Sequence, residues 1–208
     1  MGLTHLKAYK GMPGVEIGAV SSNDPKVLSG DLSGVGGNLD VAGEAVDFST
    51  AEKYADALEC VTQAKVDAVD LCLPTSMHAP VAIAALRAGK HVLVEKPMAL
   101  SGEECDQMME EAAKAGKTLM SAQVLRFFQA YVRLIEAVHG GTLGAPRHAI
   151  FRRRCAAPAW SIWMTDKSAS GGGVFDLLIH DIDMALVCFG LPRAVSATGH
   201  EDLAAGID

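Results

Sequence analysis

The chain contains 208 residues, of which 50% are hydrophobic and 5% are aromatic, so it can form one large domain or two small ones. Its net charge of −7 argues against a nucleic-acid-binding protein that works by neutralising phosphates. No apolar run approaches the ~18 residues that a membrane span needs, and the first residues lack the pattern of a signal peptide. We therefore expect neither a nucleic-acid nor a membrane partner.

The five cysteines occur singly, at positions 60, 72, 105, 155 and 188. They form no C-x-x-C pair and their number is odd, which argues against a disulfide framework and against a structural zinc site. A reducing, cytoplasmic location is the expectation that fits this pattern best.

Apolar runs and amphipathic segments alternate through most of the chain. Apolar, β-branched runs predict strands over residues 15–22, 66–74, 91–95 and 118–125. Apolar residues at helical spacing predict helices over residues 54–63, 79–90, 101–117 and 131–141. The third of these helices opens with the capping box Ser101-x-x-Glu104 and closes near Gly116. This alternation is typical of an α/β fold, in which helices cross over a parallel sheet.

The pattern changes after Pro146. Residues 147–156 and 193–201 alternate between apolar and polar side chains, which predicts strands, and residues 171–190 predict a helix led by glycines. The basic cluster Arg152-Arg153-Arg154 is interpreted as a solvated strand end rather than as an anion site. We therefore predict two domains, residues 1–125 and residues 126–208.

The third predicted strand ends in Glu95-Lys96-Pro97. Ligands of open parallel sheets bind at the carboxyl ends of strands, where an ammonium group can meet a dinucleotide or an oxyanion. Glu95 can hold the charge of Lys96 in place, and Pro97 fixes the backbone beyond it through a bond that can be cis. The alternative is that these residues form only a surface ion pair at a strand exit.

Asp176 and His180 lie four residues apart in the predicted glycine-led helix, so they share one helix face. They could be a metal pair, a structural hydrogen bond or an acid/base unit in which the carboxylate orients the imidazole. The metal interpretation lacks an obvious third ligand unless Asp183 turns inward.

Residues 67–100 closely resemble the signature of the Gfo/Idh/MocA oxidoreductase family, which includes inositol dehydrogenases and glucose–fructose oxidoreductase. The resemblance is carried by Pro74-Thr75, His78, Gly89-Lys90-His91 and Glu95-Lys96-Pro97. Residues 170–190 resemble the Gly-Gly-Gly…Asp-x-x-x-His helix of the family, and residues 122–127 resemble the strand that leaves its nucleotide domain. Two distant motifs in the correct order are far more specific than either motif alone.

The resemblance implies a Rossmann-like doubly wound parallel sheet, followed by the start of an α+β open-sheet domain. Gly2 aligns with the third glycine of G-x-G-x-x-G, and the first strand and the first two glycines are absent. Residues 33–38 are a poor replacement loop because no strand precedes them. We expect a fragment, truncated at both ends, or a misassigned start of a longer enzyme, in which the strands beside the missing one lose ladder partners.

The chemistry that the resemblance implies is NAD(P)-dependent oxidation of a secondary alcohol on a sugar or polyol, or the reverse. His180 would take the hydroxyl proton, because its ordinary pKa lies near working pH. Lys96 would hold the substrate oxygen and stabilise its developing charge. Asp176 would bind a neighbouring hydroxyl or orient His180. The resemblance also implies a homo-oligomer for the full-length protein.

Further residues are predicted to line the cofactor and substrate sites. The cofactor-binding set is Gly2, Ser22, Lys26, Pro74, Thr75, His78, Glu95, Lys96 and Gln123. Ser22 stands where NAD enzymes carry an acidic residue and Lys26 lies nearby, which favours NADP over NAD, although the segment could be only a turn. The substrate set is Arg126, Trp163, Asp176 and His180, with Trp160 as a further candidate, and the two tryptophans could instead serve packing.

Two other functions remain open. A non-catalytic, dinucleotide-binding relative would keep the fold and tolerate substitution of His180. A reductase acting on an imine or a cyclic carbonyl would use Lys96 as its acid. The presence of Lys96, Asp176 and His180 together favours the dehydrogenase.

Overall fold

The computed structural model describes residues 1–35, 45–154 and 162–200. It divides into two compact units, Met1–Ser121 and Ala122–Asp208. None of the helices among the described residues is both long and apolar enough to cross a membrane.

The first unit alternates helices and parallel strands, as the sequence predicts. Its helices are α1 (Gly2–Lys10), α2 (Pro25–Ser29), α3 (Ala57–Gln63), α4 (His78–Arg87) and α5 (Gly102–Ala115). Its strands are β1 (Ala19–Ser21), β2 (Glu52–Tyr54), β3 (Ala68–Leu71), β4 (His91–Val94) and β5 (Leu119–Ser121), and a short 3-10 turn, Thr75–Met77, precedes α4.

The five strands form two separate parallel sheets, one of β1 and β2 and one in the order β3-β4-β5. Ala19 lies opposite Glu52 in the first sheet, and Val92 lies between Val69 and Leu119 in the second. A Rossmann-like order places a further strand between the partners that correspond to β1 and β3. The described residues supply none there, which agrees with the prediction that the strands on either side lack a ladder partner.

The main core lies between β4 and the helices α4 and α5. Val94, Leu86 and Met108 are each fully buried. Burying one such side chain contributes about 1.5–3 kcal/mol, so this layer carries much of the stability of the first unit. It also holds rigid the strand whose carboxyl end leads into Glu95-Lys96-Pro97.

The ends of α5 follow the predicted capping pattern with one difference. The Ser101 hydroxyl accepts a hydrogen bond from the Glu104 N–H at 3.2 Å, and Gly116 ends the helix with a φ of 62°. The Glu104 carboxylate accepts from the Leu100 N–H at 3.0 Å, one residue before the partner that a capping box would use. Both ends of the helix are nevertheless fixed by local sequence.

Strand β2 is missing from the sequence prediction. Its residues Glu52, Lys53 and Tyr54 are polar, and none of them is buried, so the segment has no apolar alternation. The strands predicted over 15–22, 66–74 and 118–125 are also shorter than expected, because pairing with a neighbour, and not apolar character, sets their bounds.

The second unit contains α6 (Gln129–His139), α7 (Lys167–Ser170) and α8 (Ile179–Phe189), with 3-10 turns at Val124–Phe127 and Ile162–Thr165. A π-helical turn, Val174–Leu178, leads into α8. Leu125, Met184 and Cys188 form its small core, against which α6 packs.

The prediction of two strands after Pro146 was wrong for the part of each segment that the structure describes. Residues 147–154 and 193–200 form no ladder, since a strand requires a hydrogen-bonded neighbour and the described residues provide none. The alternation itself is visible in residues 151–154, where Phe151 and Arg153 are half-buried and Arg152 and Arg154 are exposed.

Candidate functional site

Glu95, Lys96 and Pro97 follow the end of β4 directly, and the Lys96–Pro97 bond is cis. The Glu95 carboxylate is buried and accepts a hydrogen bond from the Lys96 N–H at 3.0 Å. His5 of α1 approaches it as well, with 3.2 Å between Nε2 and Oε1. Burial works to raise the pKa of Glu95, but the bonds from His5 and from the Lys96 N–H outweigh it and hold that pKa below its usual range. Glu95 therefore stays ionised beside Lys96.

His78 is fully buried at the start of α4 and joins two chain segments. Its Nδ1 lies 2.8 Å from the Pro97 carbonyl oxygen, and its Nε2 lies 2.9 Å from that of Leu73. Burial lowers the pKa of His78, although the two carbonyl oxygens act in the opposite direction. His78 thus sets the shape of the strand exits, and its direct contact with a cofactor stays a prediction.

The ends of β3 and β5 present further polar groups. Pro74 precedes the 3-10 turn, and Thr75 within that turn is buried. Ser121 Oγ, at the end of β5, is buried and has no hydrogen-bond partner among the described residues. Gln123 Oε1 of the second unit is likewise buried without a partner in the described part of the chain. Buried polar groups normally have partners, so these two oxygens are notable, and the role of Gln123 in cofactor binding stays a prediction.

Gly2 begins α1 close to the end of β3. A Cβ built on Gly2 would lie 3.6 Å from the Cβ of Cys72, which is an ordinary contact distance. The helix and the strand are therefore in ordinary contact here, and the role of Gly2 in the phosphate-binding motif stays a prediction. The space itself would accept an alanine, however, so packing alone does not require glycine here.

Ser22 and Lys26 lie where β1 leads into α2. The Ser22 N–H donates to the Tyr54 carbonyl, and its hydroxyl accepts from the Asp24 N–H at 3.1 Å. Asp24 caps α2 by accepting from the Lys26 N–H at 2.9 Å. The acidic group of this turn is therefore used within the turn, and the Lys26 residue is exposed.

Asp176 and His180 belong to the second unit. Asp176 lies in the π-helical turn and His180 lies in the first turn of α8, and both are half-buried. The turn follows Gly171 and Gly172, which have φ values of 81° and 80° that other residues rarely adopt. π-Helical turns are often found at functional sites, which is consistent with the prediction that this segment holds site residues.

Other predicted residues of the second unit are engaged in ion pairs. Arg126 donates to both oxygens of Asp183, at 2.8 and 2.5 Å. Asp183 is thus held by Arg126, and the metal interpretation of Asp176 and His180 gains no third ligand from it. Arg126 as a substrate residue stays a prediction, as does Trp163, which is half-buried. Trp160 lies outside the described residues, as do residues 36–38 of the predicted loop 33–38.

The sequence analysis missed a group of interacting polar residues in the first unit. His5 and Tyr9 of α1 both contact Asp70 of β3, and Cys72 lies beside them. Two spacings in the sequence could have indicated this group. His5 and Tyr9 are four apart and therefore share one face of a helix, and Asp70 and Cys72 are two apart at the end of β3, where alternate side chains share one face.

Two domain models of one protein family together match this chain almost completely. Residues 2–123 match the Gfo/Idh/MocA model described as "Oxidoreductase family, NAD-binding Rossmann fold". Residues 131–208 match the "GFO/IDH/MocA C-terminal domain". The first match alone spans more than half of the chain.

Curated relatives and solved structures agree with these matches. D-glucoside 3-dehydrogenase of Escherichia coli is 32% identical over 75% of this chain and 45% of its own length. Myo-inositol 2-dehydrogenase of Thermotoga maritima is 38% identical over 66% of this chain and 40% of its own length. The crystal structure of a probable dehydrogenase from Thermotoga maritima has a TM-score of 0.69 at 30% identity, over 91% of this chain and 52% of that one. The chain therefore spans about half the length of these proteins.

Proposed function

Since the chain belongs to the Gfo/Idh/MocA oxidoreductase family, we propose that it transfers a hydride between a nicotinamide cofactor and a secondary alcohol or ketone of a sugar or polyol. The observation that carries the proposal is the exit of β4. There Lys96 follows a buried, ionised Glu95, and two histidines, His5 and His78, bind the adjoining groups. The named substrates of its relatives, an inositol and a glucoside, support the sugar or polyol class.

The cofactor, when bound, supplies the hydride acceptor or donor, and the residues of this chain supply position and charge. Lys96 would bind the oxygen of the reacting carbon and stabilise its developing negative charge during alcohol oxidation. Glu95 would keep that ammonium group in place, because its own carboxylate is fixed by His5 and by the Lys96 N–H.

His180 would accept the hydroxyl proton in oxidation and return it in reduction. A neutral imidazole suits this role because it titrates close to neutral pH when it is unperturbed. Asp176 would bind a neighbouring hydroxyl of the substrate or orient the imidazole. Its place in a π-helical turn immediately before α8 supports a specialised role.

The preference for NADP over NAD is a finer part of the proposal. Ser22 carries no negative charge, Asp24 is used as the cap of α2, and Lys26 is exposed next to both. This arrangement would accept a 2′-phosphate, which an acidic side chain at the same place would repel. Comparison of NADP and NAD affinity by calorimetry tests this preference, and Lys26→Ala is expected to lower the affinity for NADP alone.

The proposal is tested by replacing Lys96. Lys96→Ala in the 208-residue chain is expected to lower kcat with a panel of polyols and sugars by roughly 10²–10³-fold, because charge stabilisation at the reacting oxygen is lost. The far-UV circular dichroism spectrum should change little, and a separate measurement of cofactor affinity shows how much of the loss comes from the cofactor-binding role of Lys96. Turnover is followed by nicotinamide absorbance.

Lys65→Ala is the matched control, since Lys65 is exposed and lies outside the strand exits. Equal turnover of the wild type and Lys96→Ala would contradict the catalytic role of Lys96. Cofactor binding by the wild type with no turnover of any substrate would support the non-catalytic relative instead.

A further inference from the structure

Five polar side chains of the first unit converge beside the end of β3. We call them the His5 cluster: His5 and Tyr9 from α1, Asp70 from β3, Cys72 just after β3, and Glu95 after β4. His5 Nδ1 lies 2.8 Å from Asp70 Oδ2 and 3.6 Å from Cys72 Sγ, and Cys72 Sγ lies 3.7 Å from Asp70 Oδ1. Imidazole, carboxylate and thiol atoms thus face one another within a space that a single ion can fill.

We propose that His5, Asp70 and Cys72 bind one Zn²⁺ ion. The distances between their ligand atoms are close to those of a tetrahedral zinc site. Zinc bonds of ~2.0–2.3 Å to nitrogen, oxygen and sulfur place tetrahedral ligand atoms about 3.3–3.8 Å apart. Cys72 Sγ lies at such distances from His5 Nδ1, 3.6 Å, and from Asp70 Oδ1, 3.7 Å. The 2.8 Å contact of His5 Nδ1 is with the other carboxylate oxygen, Asp70 Oδ2, so Asp70 would bind the ion through Oδ1 once the ion replaces the proton on His5 Nδ1.

The surroundings of the three ligands are those that zinc sites use. A zinc-bound histidine usually donates its second ring N–H to a carboxylate, and His5 Nε2 lies 3.2 Å from Glu95 Oε1. A zinc-bound carboxylate is usually hydrogen-bonded in turn, and the Tyr9 hydroxyl donates to Asp70 Oδ2 at 2.8 Å. Both outer contacts exist in the structure before any ion is considered.

Charge and access also favour a cation. The Asp70 carboxylate and the Glu95 carboxylate lie on opposite ring nitrogens of His5, at 2.8 and 3.2 Å. Two carboxylates this close to one imidazole favour a bound cation. The side chains of His5 and Asp70 are 17% and 20% exposed, which leaves an approach from solvent and room for water as a fourth ligand.

The test uses the whole 208-residue chain, stripped of metal by a chelator, with Co²⁺ as the spectroscopic probe and Zn²⁺ as the competitor. We expect one Co²⁺ per chain, with sulfur-to-cobalt charge transfer and the intense visible bands of tetrahedral cobalt, displaced by one equivalent of Zn²⁺. Cys72→Ser should abolish the charge-transfer band, and Asp70→Asn should abolish stoichiometric binding. Tyr9→Phe should keep one ion per chain but weaken binding roughly 10–100-fold.

Cys105→Ser is the matched control, because Cys105 is also a half-buried, free cysteine but lies on α5 outside the cluster. Circular dichroism establishes that each variant is folded. Absence of stoichiometric binding, or a charge-transfer band that survives Cys72→Ser or disappears in Cys105→Ser, would overturn the proposal. Because none of these signals depends on cofactor or turnover, the result is independent of the proposed enzyme activity.

Discussion

His78 joins the exits of two strands through its contacts with main-chain oxygens. Its two ring nitrogens lie against the carbonyl oxygens of Pro97 and Leu73, and the imidazole is fully buried. Because burial lowers the pKa of His78, the neutral ring donates its one N–H to one of these oxygens. Removal of the imidazole leaves that oxygen without its donor, at a cost of about 1–3 kcal/mol, and opens a cavity in its place. The residue therefore matters to the fold independently of any cofactor.

We expect His78→Ala to lower the free energy of unfolding by about 3 kcal/mol, measured by urea denaturation. His148→Ala is the control, since His148 is exposed, and it should change stability by less than about 0.5 kcal/mol. If the two variants were equally stable, the contacts of His78 with the main chain would contribute nothing to folding.

The residues at the strand exits could be predicted from the sequence, but their partners could not. Glu95 and Lys96 were found because an apolar strand ends in charged residues. The contact of His5 with Asp70 joins residues 65 positions apart, and no local pattern specifies that distance. The spacing of the cysteines along the chain did not reveal the His5 cluster either, because that spacing says nothing about which helix packs against which strand.

At the scale of single elements, helix α2 ends at Gly30, where the neighbouring backbone leaves no room for a side chain. Gly30 has a φ of 95°, and a Cβ built on it would lie 2.0 Å from the Val46 carbonyl oxygen. Val46 cannot easily move away, because its N–H donates a hydrogen bond to the Gly30 carbonyl at 2.8 Å. A side chain at position 30 must therefore displace the backbone.

Gly30→Ala is expected to destabilise the chain by about 3 kcal/mol or more, through backbone strain and displacement of Val46 together. Gly89→Ala separates the two effects, because Gly89 has a φ of 77° but no atom within 4 Å of its built Cβ. Strain alone should cost Gly89→Ala about 1 kcal/mol. Equal losses in thermal or urea unfolding would show that the contact with Val46 is unimportant.

Elements that carry their own end signals were the easiest to predict in this chain, whereas the helices α1 and α7 were not predicted. The helix α5 carries its own signals, Ser101 at its start and Gly116 at its end. Strand β2 carries none, because Glu52, Lys53 and Tyr54 become a strand only by pairing with β1. For the same reason, the alternating residues 147–154 and 193–200 were predicted as strands although no neighbour pairs with them in the described part of the chain.

At the scale of the whole molecule, the two sheets of the first unit differ in how many hydrogen-bonded neighbours their strands have. Strand β4 has a ladder on both sides, and its Val92 and Val94 are buried. Within the described residues, strands β1 and β2 pair only with each other, and two-stranded sheets are marginally stable. Stability should therefore be unequal within one unit.

We expect the amides of β4 to exchange with solvent slowest, and those of β1 and β2 roughly tenfold faster or more. Hydrogen exchange followed by mass spectrometry on the intact chain measures both in one experiment, so each sheet serves as the reference for the other. Equal protection of β1 and β4 would mean that the two sheets open together.

The π-helical turn Val174–Leu178 has a consequence for how this protein can change over generations. Such a turn holds one residue more than a regular helix would over the same length. Removal of a single codon there would let an ordinary helix form over the same length, so the residues before and after the turn would keep their places. A deletion between Asp176 and His180 would thus bring them from four to three positions apart and move the carboxylate by part of a turn around the helix, while the rest of the chain stays intact.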